Sequence, residues 1–489
     1  MAIFMTYDAK CINIIVQFMA KNKKGEENAR YISSSILYEI YMQFSKIMVS
    51  SYMVKWILNQ RKNKEDFMQT EITGLLKREM KPALGVTEVG AIALAAAKAM
   101  EAAKGSQILR IRMTMNGGMY KNAFSCAIPG TEERGCEMAA LLGVLCGNSR
   151  LELECLRNVT ADAVELAKNS GIAVDISVDA SKEDIYLLAE VETDKGIGKA
   201  LIEAWHNNLT KVWQNEKLIF SNDLGKSERT ATFPFDAVNI EDFVSYADTV
   251  PDKDLLFLQD MIDMNCRLAA AGEAGVGLRI GKAVENFRQK GFVGQDAFYE
   301  AQHLTICAMD ARLAGLPYPA MSIVGSGSHG IICSLPVVSF GRGMRKSEKE
   351  IRRALALSCL ITIYSKHYTG RLSSLCGCVL GGGSGAAAGI AYLMGGGVNE
   401  IGAAMNHMAA NLSGMICDGG NIGCSLKVAS GVQAAFLSAM LATEGVMMPP
   451  HFGILGSSAE QTAKNLGHIS KKGMAAMDST ILDIMQRKK

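Results

Sequence analysis

The sequence predicts an α+β protein in which a small α/β domain is followed by a mainly helical domain rich in glycine loops. Between residues 68 and 238, short alternating strand patterns are interspersed with helical ones. Beyond Asn239, apolar residues recur at helical spacing in one segment after another, and glycine-rich stretches separate these segments. We therefore predict an N-terminal extension at 1–67, an α/β domain at 68–238 and a mainly helical domain at 239–489.

The extension differs in composition from the rest of the chain. Residues 1–67 are rich in lysine, and the amphipathic stretch at 31–58 predicts one or two helices. A poorly ordered extension, or an upstream segment in front of a translation start at Met68, are the alternatives. Residues 1–20 carry two charged side chains inside their apolar part, so they do not resemble a signal peptide.

The α/β domain begins with a predicted turn at 81–85. Thr87 then predicts the N-cap of an alanine-rich helix that ends at Ala103. The elements predicted next are a strand at 108–115, a bend at 117–118, a helix at 160–170, strands at 173–178 and 185–192, a helix at 196–206 and a strand at 211–220. This order predicts a small sheet covered by helices on one side.

The last domain contains one helical pattern after another. The predicted helices are 240–247, 252–271, 276–289, 295–314, 347–365, 384–394, 398–413, 427–442 and 459–485. Between them lie glycine-rich loops, where we expect the chemistry, because a backbone without Cβ atoms approaches a ligand most closely.

Composition excludes several kinds of partner. The chain has 51 basic and 49 acidic residues among 489, so no excess charge attracts nucleic acid. Its 13 cysteines are odd in number and irregularly spaced, which indicates reduced thiols in the cytoplasm. The uncharged run at 372–398 is long enough to cross a membrane, but it is rich in glycine, alanine and serine, and we predict a tightly packed buried helix instead.

Four cysteines in two short motifs are the strongest chemical signal. Cys376 and Cys378 flank one glycine, and Cys417 and Cys424 enclose Asp-Gly-Gly-Asn-Ile-Gly. Thiols in glycine-rich, uncharged segments suit an iron-sulfur cluster, because the chain must bend round the metal and turn N–H groups toward sulfur. Four buried structural thiols or a zinc site are the alternatives, although these spacings do not match the Cys-x2-Cys pattern of zinc sites.

A glycine-rich stretch also contains candidate substrate-binding groups. Ser326 and Ser328, with the backbone N–H groups of residues 325–330, suit a substrate carboxylate, because such a loop turns several N–H groups inward. A tight structural turn is the alternative. His329 is a candidate proton carrier, since imidazole titrates near neutrality, and a hydrogen-bonded loop histidine is the alternative.

Other polar side chains in short motifs are candidates for binding substrate or for balancing negative charge. They are Lys121, Asn122, Lys366 and Arg371. For the cations among them, a position on the surface is the alternative interpretation. The remaining cysteines, which lie in apolar surroundings, are predicted to belong to the core.

At these motifs the chain resembles the L-cysteine desulfidase family, also described as serine dehydratase alpha-subunit-like proteins. The resemblance runs from about Met68 to the C-terminus and is most specific at residues 311–317, 370–378 and 414–419. It implies a 4Fe-4S cluster held by three cysteines, with Cys417 and Cys424 as two ligands and either Cys376 or Cys378 as the third. It also implies β-elimination from L-cysteine, which yields sulfide, ammonia and pyruvate.

The chain departs from this family at one position of chemical importance. The family pattern Gly-Cys-Thr-Glu-Pro is Gly-Val-Thr-Glu-Val here, so Val86 stands where the family has a cysteine. Valine can neither coordinate iron nor carry a proton. Glu88, at the start of the helix, is a candidate base in its place, and an acid that complements the helix dipole is the alternative interpretation.

Two functional hypotheses follow from these motifs. The first is an iron-sulfur lyase that eliminates hydrogen sulfide or water from L-cysteine or an L-serine-like amino acid. The second is a catalytically impaired relative that binds a cluster or a small ligand as a sensor or structural protein. Both hypotheses predict a small amino acid as ligand and neither nucleic acid nor membrane as partner. A homo-oligomer is compatible with both.

Overall fold

A computed structural model of the protein describes residues 68–182, 184–222 and 233–488. The predictions made for residues 1–67 lie outside the described residues. From Gln69 onward the chain forms one compact unit, and the domain boundary at residue 238 stays a prediction.

The strands and helices are numbered in chain order. The strands are β1 (Met80–Leu84), β2 (Ile108–Met115), β3 (Ala173–Val178), β4 (Tyr186–Thr193), β5 (Gly196–Glu203), β6 (Leu209–Gln214), β7 (Lys217–Ser221) and β8 (Pro319–Ile323). In the first half of the chain the helices are α1 (68–79), α2 (Thr87–Ala103), α3 (Gly117–Ala123), α4 (Gly135–Cys146) and α5 (Ala161–Asn169). In the second half they are α6 (Ile240–Thr249), α7 (Leu258–Gly272), α8 (Ile280–Gln289), α9 (Ala297–Leu313), α10 (Gly327–Gly343), α11 (Glu348–Thr369), α12 (Ser384–Leu393), α13 (Val398–Leu412), α14 (Cys424–Thr443), α15 (Ala459–His468) and α16 (Met477–Gln486).

Six strands form one mixed sheet in the order β3-β2-β4-β5-β6-β7. β2 and β3 run parallel, and the other neighbours run antiparallel. Side chains along β4 alternate between buried and partly exposed, as expected for a sheet with one face on the core. Alanine-rich α2 lies against this face. A Cβ on Gly198 of β5 would lie 1.8 Å from the carbonyl oxygen of Ala99, so this position has no space for a side chain. The helix and the sheet therefore touch backbone to backbone.

A separate antiparallel pair, β1 and β8, joins two segments that are far apart in the sequence. Met80 pairs with Ile323, and Leu84 pairs with Pro319. The predicted turn at 81–85 was therefore wrong, because most of it is strand β1; only Gly85, with a φ of 67°, makes the bend. In this register the residue before the bend into α2, Leu84, lies beside the first residue of β8, and Met80 lies beside Ile323, which precedes α10.

The second half of the chain packs helices closely through small residues. A Cβ on Gly385 of α12 would lie 2.3 Å from the carbonyl oxygen of Ser358 in α11. In α10, a Cβ on Gly330 would lie 1.9 Å from the carbonyl oxygen of Met321 in β8. Between Ser384 and Leu393 every residue except Tyr392 is buried, which agrees with the packed helix predicted for this part of the chain.

One helix among the described residues, α14, is long and apolar enough to cross a membrane by length and composition. Half of its most apolar stretch is buried inside the protein, and core helices of soluble proteins pass the same test. The helix therefore carries no argument for a membrane span.

The predicted α+β class is confirmed, but several elements differ from their prediction. Residues 196–206 form strand β5 and a turn instead of a helix, because pairing with β4 and β6 outweighs their helix propensity. The strand predicted at 211–220 is split between β6 and β7 by a turn at Asn215, whose φ is 52°. The helix predicted at 459–485 is interrupted between α15 and α16 by the π-helical turn Ile469–Gly473.

The close contact of α2 with β5 makes a prediction about stability. We expect Gly198→Ala to destabilise the protein by about 2–3 kcal/mol, because its methyl group has no space. Gly74→Ala is the matched control: no atom lies within 4 Å of its Cβ position in α1, so the gain in helix propensity should stabilise the protein by about 0.5–1 kcal/mol. Urea unfolding of the three proteins measures both effects, and equal stabilities would contradict the packing described.

Candidate functional site

A cavity of about 660 Å³, including its opening to solvent, lies between the residues that follow β1 and β8 and the glycine-rich segments. The residues that line it are Val86, Glu88, Asn122, His206, Arg312, Leu313, Gly325, Ser326, Ser328, His329, Lys366, Arg371, Leu372, Ser373, Leu375, Cys376, Gly377, Cys378, Cys417, Gly419, Gly420, Cys424 and Lys427.

All four predicted metal-binding cysteines line this one cavity. Two backbone hydrogen bonds join their motifs: the N–H of Cys376 donates to the carbonyl of Met415 at 2.8 Å, and the N–H of Cys417 donates to the carbonyl of Ser374 at 2.8 Å. Cys378 begins a π-helical turn, and Cys424 begins α14. Motifs forty residues apart in the sequence thus meet as an antiparallel bridge.

The four thiols differ in their pKa values. The thiol of Cys378 interacts with the sulfur of Cys376, which lowers the pKa of Cys376 to about 6 and raises that of Cys378 well above its usual range. Burial raises the pKa of Cys417, and that of Cys424 to about 11. Cys376 therefore ionises most readily, whereas the other three thiols need nearby positive charge to reach the thiolate form that binds metal.

The chemistry of the donor set fits an iron-sulfur cluster, because thiolates are the ligands that such clusters use. Among residues 68–182, 184–222 and 233–488, no three His, Cys, Asp or Glu side chains are grouped so that they could hold a metal ion. The fit therefore rests on the chemistry of the cysteines and not on an assembled metal site.

Buried cations lie beside the thiols. Nζ of Lys366 donates to Oγ of Ser373 at 2.9 Å, and burial lowers the pKa of this amine to about 8, although the neighbouring cysteines pull it upward. A Cβ on Gly377 would lie 2.8 Å from that Nζ and 2.5 Å from Nε2 of His329. A side chain at residue 377 would therefore displace the amine of the lysine or the imidazole of the histidine.

Four buried polar atoms at the cavity have no hydrogen-bond partner among the described residues: Nε of Arg312, Nδ1 of His329 and both ring nitrogens of His206. Nη1 of Arg312 donates to Oγ of Ser328 at 2.8 Å. Burial, together with the charge of Lys366, holds the pKa of His329 well below its usual range, so the imidazole is neutral at physiological pH. Unused donors in a buried, cationic place suit an anionic ligand.

Glu88 is held by three neighbours. One carboxylate oxygen accepts a hydrogen bond from Nδ2 of Asn122 at 2.8 Å and lies 3.4 Å from Nε2 of His206, and the other accepts from Oγ1 of Thr87 at 3.0 Å. Burial alone would raise the pKa of Glu88, but His206 and Asn122 outweigh it and lower the pKa to about 2. The group is a weak base near neutral pH and is well placed to orient Asn122 and His206.

Val86 shows where the missing thiol would stand. It precedes α2 and lines the cavity, and its Cγ1 lies 3.1 Å from the position that a Cβ on Gly420 would occupy. Gly420 belongs to the segment between Cys417 and Cys424. A cysteine at residue 86 would therefore lie next to the predicted metal-binding loop.

The remaining predicted residues have different positions. Ser326 and Ser328 line the cavity, but Ser326 is the N-cap of α10 and Ser328 lies in its first turn, so the predicted loop is a helix start. Arg371 also lines the cavity, with Nη2 bound to both oxygens of Glu79 at 2.7 and 2.6 Å. Lys121 is not among the lining residues: it is buried and donates to Asp478 at 2.7 Å.

Two polar residues that line this site, Arg312 and His206, have no role in the sequence-based predictions. Arg312 belongs to one of the motifs that carry the family resemblance, but the motif does not indicate what its side chain does. His206 lay in a segment whose secondary structure was wrongly predicted as helix. A buried arginine and a buried histidine close to Glu88 are evident only once β1 is paired with β8 and β5 is placed in the sheet.

Comparisons with known proteins match most of the chain. The family model described as serine dehydratase alpha chain matches residues 150–483, which include all four cavity cysteines. A UPF0597 protein of Clostridium botulinum strain Hall is 41% identical over 422 residues, covering 85% of this chain and 98% of the relative.

Two further relatives show the same extent of similarity. A UPF0597 protein of Clostridioides difficile strain 630 is 37% identical over 419 residues, covering 84% of this chain and 98% of the relative. A third, from Caldanaerobacter subterraneus, is 38% identical over 424 residues, covering 85% of this chain and 98% of the relative. These names state no substrate.

The contacts of Glu88 make a prediction about pH dependence. The carboxyl group has a pKa of about 2 in the folded protein and an ordinary value of 4.5, so its stabilising contribution is complete above pH 4.5 and is lost as the pH falls toward 2. We expect Glu88→Gln to cost on the order of 2 kcal/mol at pH 7 and less at pH 3, measured by urea unfolding. Glu165→Gln, an exposed control on α5, should change stability by less than about 0.5 kcal/mol at either pH. A deficit for Glu88→Gln that stays constant or grows as the pH falls would contradict this account.

Proposed function

Because the chain belongs to the serine dehydratase alpha chain family, we propose that it is a lyase that uses a 4Fe-4S cluster to eliminate hydrogen sulfide from L-cysteine, or water from an L-serine-like amino acid. Pyruvate and ammonia are the products. The observation that carries the proposal is that both cysteine motifs line one cavity together with buried cations and unpaired donors. We place this reaction in the cytoplasm.

In this proposal, Cys417, Cys424 and Cys376 hold the cluster. Cys376 is assigned as the third ligand because its backbone is bridged to the segment that carries Cys417. When bound, the cluster supplies an iron without a protein ligand, a Lewis acid for the departing sulfide or hydroxide. Lys366 offsets the negative charge of the thiolates from its buried position.

The other residues of the cavity orient the substrate and move its proton. Ser326 and Ser328 face the substrate carboxylate at the start of α10. His329 is neutral, so the ring nitrogen that carries no proton can accept the α-proton. Glu88 keeps its negative charge and fixes the amide of Asn122 at the cavity wall.

A specific observation favours a second function. Val86 occupies the cavity wall where the family has a cysteine, and a side chain without a proton or a ligand atom contributes only packing there. The alternative is therefore a relative that holds a cluster or a small amino acid without turnover, as a sensor or structural protein.

The ligand assignment predicts which cysteines retain iron. We expect protein purified without oxygen to contain about four iron and four sulfide per chain, and Cys417→Ala or Cys376→Ala to lose most of both. Cys378→Ala should retain the cluster. Cys155→Ala, a buried cysteine outside the cavity, is the control and should also retain it. Loss in Cys378→Ala and retention in Cys376→Ala would exchange the two assignments.

Pyruvate release tests the reaction itself. We expect the wild-type protein to form pyruvate from L-cysteine or L-serine under anaerobic conditions, and Val86→Cys to raise kcat by about 10² if the added thiol supplies proton transfer. Val89→Cys, at a buried position of α2 that does not line the cavity, should not raise it. A full cluster with no pyruvate from either the wild-type protein or Val86→Cys would favour the sensor instead.

A further inference from the structure

Arg312 is a buried cation whose charge is not matched by a contacting carboxylate. Its side chain is 3% exposed, Nη1 donates to Ser328, and Nε has no partner among the described residues. Glu88 attracts it electrostatically, but the oxygens of Glu88 are taken up by Asn122 and Thr87. Arg371 and Arg352, in contrast, are each paired with a carboxylate.

The fold makes room for this arginine. A Cβ on Gly327 would lie 2.6 Å from Nε of Arg312, so any other residue at this position would displace the guanidinium. Burying a charged group without a partner is costly, and breaking a buried pair is among the most destabilising changes. The guanidinium thus lacks a carboxylate partner and keeps one donor, Nε, without a partner among the described residues.

The N-terminus of α10, which also carries positive potential, lies beside the guanidinium of Arg312. α10 begins at Gly327, and its N-cap Ser326 accepts the N–H of His329 at 3.5 Å. The other N–H groups of the first turn have no partner within the helix, and the positive end of its dipole lies beside Arg312. Both Ser326 and Ser328 line the cavity, so hydroxyl, N–H and guanidinium donors converge on one place.

We propose that Arg312 binds the α-carboxylate of the amino-acid substrate, with Ser328 and the first turn of α10 completing the subsite. The proposal rests on the function proposed above and extends it by naming the recognised group. A guanidinium presents two parallel N–H donors that match the two oxygens of a carboxylate, whereas a lysine offers a single point of charge. The substrate class is thus limited to small amino acids with a free carboxylate, and amides and amines are excluded.

Binding of two inert ligands tests this inference without any turnover. L-alanine has the carboxylate but no leaving group on its β-carbon, and L-alaninamide has the same amine with a neutral carboxamide. We expect calorimetry of the anaerobically purified protein to show tighter binding of L-alanine, and Arg312→Gln to weaken L-alanine by about 10- to 100-fold with little effect on L-alaninamide. Arg312→Lys should recover part of the lost affinity for L-alanine, because lysine restores the positive charge but not the two parallel N–H donors.

Controls separate recognition from damage to the fold or the cluster. Arg352→Gln removes an arginine that pairs with Asp252 outside the cavity, and it should bind L-alanine as the wild-type protein does. Each variant is assayed for iron and for its unfolding midpoint. Equal loss of both ligands, loss of iron in Arg312→Gln, or no binding of L-alanine by the wild-type protein would each overturn the inference.

Failure of the proposed function gives a different result. A protein that binds L-alanine through Arg312 but forms no pyruvate from L-cysteine or L-serine would leave the carboxylate subsite intact and refute the lyase. A protein that forms pyruvate at an unchanged KM in Arg312→Gln would keep the lyase and refute the subsite.

Discussion

Two backbone hydrogen bonds between residues 374–376 and 415–417 hold together the segments that carry the cysteines. Without this bridge, Cys376 and Cys417 would belong to separate glycine-rich loops with no reason to meet. The segment around Cys376 is anchored further by Ser374, whose hydroxyl donates to Asp478, the same carboxylate that accepts from buried Lys121. Lys121 thereby supports the cavity from behind, which gives this residue a structural role different from contact with a ligand.

The buried thiols on the two bridged segments explain why cations lie around the cavity. Thiols in a buried place hold their protons more tightly, so positive groups are needed nearby if they are to bind metal. Lys366 and Arg312 supply that charge from α11 and α9, and each is buried at the cost of its own hydration. Arg371 and Lys427 are paired with carboxylates and contribute less. The cavity thus places the buried cations of Lys366 and Arg312 beside the carboxylate of Glu88 and beside four thiols, of which that of Cys376 ionises most readily.

Much of this arrangement could be predicted from the sequence, and the rest depended on tertiary contacts. In the strands at 108–115 and 173–178 and in most helices of the second half, apolar residues recur at the spacing of the element. This local pattern was sufficient to predict them. β1 and β5 were mispredicted because their stability comes from pairing with distant strands, which no local pattern records. The cysteines and Ser326, Ser328 and His329 were found because motif residues cluster in the sequence, whereas Arg312 and His206 reach the cavity only through the fold.

The central claim is that the bridged cysteine motifs hold an iron-sulfur cluster, and anomalous diffraction at the iron absorption edge tests it most directly. Crystals grown without oxygen should show iron at the cavity within bonding distance of the sulfurs of Cys417 and Cys424, beside a third cysteine from the 376–378 segment. Absence of iron at these sulfurs in protein that is otherwise intact, or a single zinc ion in its place, would contradict the account.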